Sequence, residues 1–173
     1  MAWTTPGTAV AGDVLTAARW NSDVRDNTNF LYQVPSVQVR RTSDLTSYAS
    51  NTAITWQSEA WDTDSMWSSG TDVTIKTAGI YLVTFKGRAN GSATISRIVA
   101  RTFKGGLEFA EVEATVVSAV SSNFVSTAIT KCNVNDVITA SVLFSGGSNY
   151  VVDGNASEAS DQTSLTVTWI GSA

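Results

Sequence analysis

From residue 37 onward, hydrophobic and polar residues alternate in short runs, as in β-strands with one buried face. The clearest runs are Val37 to Arg40, Ala53 to Trp56, Asp72 to Lys76 and Ile80 to Lys86. Further runs cover residues 94–103, 108–117, 124–132, 137–144 and 164–170, with Gly- or Asn-containing turns between most of them. About eight to ten short strands separated by such turns predict an all-β jelly-roll β-sandwich.

The segment before Pro35 follows a helical period instead. Thr16 is suited to cap a helix, and Pro35 is suited to end it. Spacings of three and four residues, as in a heptad repeat, relate Ala17, Trp20, Val24, Asn27 and Leu31. We therefore predict a short N-terminal α-helix and two parts: an arm with a trimerising and anchoring helix at residues 1–35, and a jelly-roll head at residues 36–173.

This helix can either pack on its own head or form a seam between three copies. A helix of about four turns is marginal alone in water, and a polar residue such as Asn27 fixes register in coiled coils. We favour the seam. The run from Ile80 is apolar on both faces, which suggests a strand covered on both sides, either at a subunit interface or in the middle of the sandwich. The predicted homotrimer interface therefore comprises Trp20, Val24, Asn27, Leu31, Tyr81, Val83 and Phe85.

Composition excludes several kinds of chemistry. The chain has no histidine and one cysteine, Cys132, so it lacks the usual general base, the commonest metal ligand and any internal disulfide. Its net charge of −4 argues against binding nucleic acid or an anionic membrane surface. No run is long and apolar enough for membrane insertion. We expect a protein that is not an enzyme and has no cofactor.

Acidic residues are the remaining candidates for chemistry. A glycan depolymerase could use Asp62 with Asp64, or Glu108, Glu111 and Glu113. Candidate ligands for calcium are Asp62 with Asp64, or Asp153 with Glu158 or Asp161. Acids on strands are ordinarily solvated, and Asp in loops more often caps turns than binds metal. We therefore predict neither a catalytic site nor a metal site.

Two stretches resemble the head of a known family. Trp61 to Ser68 is an Asp-rich loop that leads to the strand Val73–Lys76 and then to the turn Gly79-Ile80-Tyr81. This order resembles the complement globular-head and tumour-necrosis-factor-like jelly rolls. The run 165–171 resembles their closing strand, which lies at the trimer axis. The resemblance implies a trimer and adds Trp169 to the predicted interface.

The N-terminal segment resembles a different group of proteins. Residues 11–31 open with Ala-Gly-Asp-Val-Leu-Thr-Ala-Ala-Arg-Trp-Asn and continue through Val24-Arg25-Asp26-Asn27. They are similar to the opening of minor virion proteins of tailed phages, of the fibre, tail-tip or capsid-decorating kind, especially in phages of actinobacteria. That resemblance implies attachment to a virion. The predicted anchoring residues are Trp3, Val14 and Leu15.

These features predict a bacteriophage virion structural protein, made in the host cytoplasm and located in the virion. It would be a trimeric fibre or decoration protein that docks by its arm to capsid or tail proteins and projects its head for host adsorption. The alternative is a receptor- or carbohydrate-binding head of a tail fibre, whose partner is a host surface glycan or protein. Its candidate contacts are Trp61, Trp67 and Tyr150, although such rings also serve cores and interfaces. A secreted complement-like or cytokine-like protein is disfavoured, because no signal sequence is visible.

Overall fold

The computed structural model describes residues 4–8, 10–90, 95–115, 121–154 and 162–172. A helical segment comes first, with α1 at Ala17–Trp20, a π-helical turn at Asn21–Asp26 and α2 at Asn27–Tyr32. The described residues then form ten strands. They are β1 Ser36–Arg40, β2 Ser58–Asp62, β3 Val73–Thr74, β4 Gly79–Asn90, β5 Arg97–Lys104, β6 Leu107–Thr115, β7 Ser121–Cys132, β8 Val137–Ser145, β9 Val151–Val152 and β10 Ser164–Gly171. The predicted all-β jelly roll behind a short N-terminal helix is confirmed.

The strands build a larger and a smaller antiparallel sheet that pack face to face. The larger sheet has the order β2-β1-β10-β4-β7, and β9 pairs with the far end of β4. The smaller sheet has the order β3-β8-β5-β6. Inward-facing residues of both sheets form one hydrophobic core, as expected for a sandwich.

Strand β4 runs through the middle of the larger sheet, between β10 and β7. Its side chains Tyr81, Val83 and Phe85 are at most 1% exposed within a single chain. The Tyr81 hydroxyl donates a hydrogen bond to the carbonyl of Thr77 at 2.6 Å, and burial raises its pKa. Placing these three residues at a trimer interface is therefore wrong, because they fill the space between the two sheets.

The structure departs from the alternation of hydrophobic and polar residues in two places. Strand β2 is an edge strand whose five residues are all exposed or half-buried, so it lacks the alternation that marks a strand. Residues 53–56 alternate, yet they form isolated bridges, from Ala53 to Ser141 and from Trp56 to Gly70. Their alternation reflects burial of Ile54 and Trp56 in the core rather than a continuous ladder.

An aromatic contact joins the helix to the head. The ring of Phe30, which is buried, meets the indole of Trp169 edge-on, with centroids 4.9 Å apart and planes at 87°. Val34 also packs on the core, and the backbone N–H of Trp169 donates to the carbonyl of Pro35 at 2.8 Å. Trp169 is thus buried within one chain, and its predicted place at the trimer interface is wrong.

Gly79, at the start of β4, lies against the same indole. A Cβ atom there would lie 2.5 Å from Trp169 Cδ1 and 2.7 Å from the carbonyl oxygen of Gly171. The sequence pattern predicts a turn at this glycine. The structure gives close packing as the reason that no side chain fits.

We predict that Gly79→Ala destabilises the head, because Trp169 must move to admit the methyl group. Such overpacking costs about 1–3 kcal/mol of unfolding free energy. Gly171→Ala is the matched control, since its Cβ would meet nothing within 4 Å. Guanidinium denaturation of both variants tests this, and equal midpoints would contradict the packing argument.

Candidate functional site

The described residues form two candidate binding surfaces, the N-terminal segment and one face of the larger sheet. In the first, an arm lies along the helix and is held by Asn27. The Asn27 side-chain oxygen accepts from the N–H of Thr4 at 2.9 Å, and its nitrogen donates to the carbonyls of Thr4 at 2.7 Å and Asp23 at 3.3 Å. Asn27 is buried by these contacts. Its predicted role in a trimer seam is therefore wrong, because its amide is already satisfied within one chain.

Arg19 fixes the arm at a second point. Its guanidinium forms ion pairs with Asp13 at 3.2 Å and Asp23 at 3.4 Å, and it donates to the carbonyl of Gly7 at 3.1 Å. The N–H of Gly7 in turn donates to Asp23 at 3.2 Å. Each partly exposed pair contributes little alone. Together with Asn27 they hold the arm against the helix.

The helix begins as predicted but does not keep a heptad face. Thr16 caps it, because the Thr16 hydroxyl accepts from the N–H of Arg19 at 3.2 Å. Residues 21–26 are π-helical, and a π turn takes more residues than an α turn. The turn changes the register of the stripe. Asn27 and Phe30 consequently face inward, whereas Trp20, Val24 and Leu31 are exposed.

An open groove of about 290 Å³ lies between the arm and the helix. Three exposed apolar residues of the segment, Leu15, Trp20 and Val24, line this groove together with Arg19. Val14 is 81% exposed and Leu15 59% exposed. Their role as anchors, and that of Trp20, Val24 and Leu31 in a trimer, stay predictions. Trp3 lies outside the described residues.

The second surface is the outer face of the larger sheet, which we define as the side chains of β1, β10, β4 and β7 that point away from the core. Pairing aligns them in rows. One row is Ser36, Thr168, Leu82 and Ile129, the next is Gln38, Thr166, Thr84 and Thr127, and the third is Arg40, Ser164, Lys86 and Val125. These four strands contain no aspartate or glutamate.

The middle row is neutral and internally hydrogen-bonded. The Gln38 side chain donates to the Thr166 hydroxyl at 3.0 Å, and the hydroxyls of Thr84 and Thr127 are 3.3 Å apart. Leu82 beside it is half-buried, while Ile129 is exposed. The four strands of this face therefore contribute no acid, and their centre is partly apolar.

The three aromatic residues considered for ligand contact lie in different places. Trp61 is 44% exposed on β2, and its indole N–H donates to the Ser36 hydroxyl at 3.0 Å. Trp67 packs against the core and donates to the carbonyl of Gly70 at 3.4 Å. Tyr150 stacks on Phe144 of the other sheet, with centroids 4.4 Å apart. A shared ligand site is therefore not assembled from these three rings.

Four of the five acids considered for catalysis make structural contacts, whereas Oδ2 of the fifth, Asp64, is buried without a hydrogen-bond partner among the described residues. Glu108 and Glu111 lie 3.3 and 3.6 Å from Arg101, and Glu113 pairs with Arg97 at 2.8 Å. Asp62 accepts from the backbone N–H groups of Asp64 and Trp67, at 3.1 and 2.8 Å. Such contacts are typical of ion pairs on a strand and of a capped loop.

Cys132 is enclosed at the end of β7. Burial raises its pKa to about 11, so the thiol stays protonated near neutral pH. Within the described ranges, no three His, Cys, Asp or Glu residues come together as metal ligands. Nor does any helix there have the length and apolarity to cross a membrane. Glu158 and Asp161 lie outside the described residues.

Comparison with known proteins identifies the fold. The globular domain of zebrafish complement 1qA protein matches with a TM-score of 0.62 at 13% identity, over 80% of this chain and 99% of that one. Murine APRIL matches with a TM-score of 0.54 at 14% identity, over 79% and 98%. No known family profile matches the sequence, and neither does any curated protein. At such identities the likeness shows the fold alone, and the head has the complement globular-head and tumour-necrosis-factor-like jelly roll.

We predict that Asn27→Ala releases the arm without unfolding the head, because both bonds to Thr4 are lost while Phe30 stays in place. Hydrogen exchange at the Thr4 amide should accelerate, and protease should cut the arm sooner. Asn29→Ala is the control, since that side chain is exposed. An unchanged Thr4 amide in Asn27→Ala would show that the clamp is not needed.

Proposed function

We propose that this chain is a structural protein of a tailed-phage virion. In this proposal it is a homotrimer without enzymatic activity, attached to capsid or tail proteins by its N-terminal segment and projecting a jelly-roll head. Support comes from the resemblance of residues 11–31 to phage minor virion proteins. It also comes from the unusual number of large apolar side chains that this segment leaves exposed.

That exposure carries the attachment proposal. Seven large apolar residues are exposed within residues 10–32: Val10, Val14, Leu15, Trp20, Val24, Leu31 and Tyr32. Apolar surface is unfavourable in water, at about 25 cal/mol per Å², and concentrated patches mark interaction sites. The clamp by Asn27 and Arg19 also holds the arm in one conformation, which reduces the entropy lost on docking. A virion partner with an apolar cleft fits such a segment.

The outer face supports the homotrimer. Its centre consists of Thr and Gln side chains that already bond one another, and Leu82 and Ile129 lie beside them. The centres of protein interfaces are depleted in charged residues, as this one is. The resemblance of the head to complement and tumour-necrosis-factor-like jelly rolls implies the same assembly. The trimer contact would then involve the outward residues of β4 rather than Tyr81, Val83 and Phe85.

A second candidate is a receptor- or carbohydrate-binding head on the same particle. Trp61 favours it, because the indole is 44% exposed while its N–H is fixed by Ser36. A ring held in this way can present a flat apolar surface to a sugar without losing rotamer freedom. Binding of host glycans that disappears in Trp61→Ala, with melting unchanged, would favour this candidate.

We predict that Ile129→Lys breaks the trimer, because it places a charge beside Leu82 on the outer face. Light scattering should give the mass of a trimer for the unmodified protein and a monomer for the variant. Leu107→Lys is the matched control, since Leu107 is also exposed but lies on β6 in the other sheet. A monomeric unmodified protein at micromolar concentration would refute the trimer.

We predict that the double variant Val14→Glu, Leu15→Glu folds normally but fails to enter virions, because two charges cannot be buried in an apolar docking site. Incorporation is measured by mass spectrometry of particles purified from a phage that carries the variant. Ser68→Glu with Ser69→Glu adds the same charge to an exposed loop of the head and should be incorporated. Normal incorporation of the first variant would show that these residues are not the anchor.

A further inference from the structure

We infer that the outer face carries a binding site for one oxyanion, a carboxylate, sulfate or phosphate group, between Arg40 and Lys86. The two cations lie on β1 and β4, on either side of Ser164 of β10, in a single row across the three strands. Directly paired residues in antiparallel strands lie about 5 Å apart and point to the same face. The three side chains therefore share one small area of the surface.

Both cations have unused hydrogen-bond donors. Arg40 donates from Nε to the Ser58 hydroxyl at 3.0 Å, and its two terminal nitrogens have no partner in the part of the chain that the structure describes. The Lys86 ammonium has no such partner either across the described ranges. Each side chain is half-buried. A partly desolvated cation gains most from a charge-assisted hydrogen bond, which an oxyanion supplies.

Ser164 provides an independent observation. This residue is 3% exposed, and its hydroxyl oxygen finds no hydrogen-bond partner among the described residues. A buried hydroxyl without a partner destabilises the fold, so such groups are nearly always satisfied in some state of a protein. The Ser164 hydroxyl would donate a hydrogen bond to an oxyanion held by Arg40 and Lys86. The hydroxyl, ammonium and guanidinium together would offer donors to one small anion.

The local charge favours the same ligand. The four strands of the outer face contain four cations, Arg40, Lys86, Arg88 and Lys131, and no acid, although the whole chain has a net charge of −4. Arg88, two residues further along β4, is paired with Asp153 at 3.2 Å. On the adjoining strand β2, Glu59 is in register with the inward-facing Val39 and is not in the row. No described carboxylate of the same chain occupies the position.

The oxyanion can come from solution, including an acidic glycan, or from a glutamate of a second copy of the chain. The site does not depend on the trimer, because its three side chains belong to one chain.

The first experiment measures stabilisation by sodium sulfate, phosphate and acetate against sodium chloride at equal ionic strength. We expect the melting temperature of the unmodified protein to rise with at least one oxyanion. Lys86→Gln should weaken apparent affinity about tenfold, as for the loss of one charge-assisted hydrogen bond, and Ser164→Ala should weaken it less. Lys131→Gln is the control, because it removes a charge from the same face in the row of Ile80. Equal shifts in Lys86→Gln and the unmodified protein would overturn free-anion binding.

The second experiment distinguishes the source, using sedimentation velocity on the same variants. If a second copy supplies the carboxylate, free salts have no effect on the assembled protein, but Lys86→Gln and Ser164→Ala weaken association while Lys131→Gln does not. If the protein is a monomer that binds sulfate through Lys86, the anion site is supported and the proposed trimer is refuted. If the protein is a trimer, and neither its stabilisation by anions nor its association depends on Lys86 and Ser164, the anion site is refuted and the proposed trimer is supported.

Discussion

Strand β4 must satisfy two environments at once, because its side chains point alternately into the sandwich and out to the exposed face. Between β10 and β7 it has ladder partners on both sides, so its position is fixed by backbone hydrogen bonds as well as by burial. A slip by one residue would exchange Tyr81, Val83 and Phe85 with Leu82, Thr84 and Lys86, and would bury a lysine in the core. The outer face therefore has a fixed register, which any partner can depend on.

The same register determines how the N-terminal segment meets the head. Gly79 begins β4, the indole of Trp169 lies against it, and Phe30 covers that indole. The last turn of the helix is consequently part of the core of the head, whereas the arm and the first turns are held by Asn27 and Arg19 outside it. Residues 4–32 thus combine an attached end with an exposed apolar end. The composition of the chain changes at residue 35, but the packing does not, because Phe30 packs on Trp169 of the head.

Sequence could predict the strands whose alternation comes from one core, and it could predict the Thr16 cap, because both depend on local residue order. It could not distinguish burial within one chain from burial between chains, because large aromatic residues such as Tyr81 and Trp169 occur both in cores and at interfaces. The heptad spacing places Asn27 in a seam, because a π turn, which shifts the register of the stripe, leaves no clear sequence signal. The row of Arg40, Ser164 and Lys86 has no sequence signal either, since pairing joins Arg40 to Ser164, 124 positions away, and Ser164 to Lys86, 78 positions away.

The outer face is not uniform, and its asymmetry limits how copies can assemble. The rows of Leu82 and Thr84 are neutral, while the row of Lys86 is cationic. Association centred on the neutral rows buries no charge, but it brings the cationic rows of neighbouring copies closer together. Their repulsion is weak at distances beyond about 8 Å at physiological ionic strength and grows steeply at closer approach. Each cationic row must then be kept at the rim or neutralised by an oxyanion, so the geometry of assembly and the occupancy of the anion site are physically coupled.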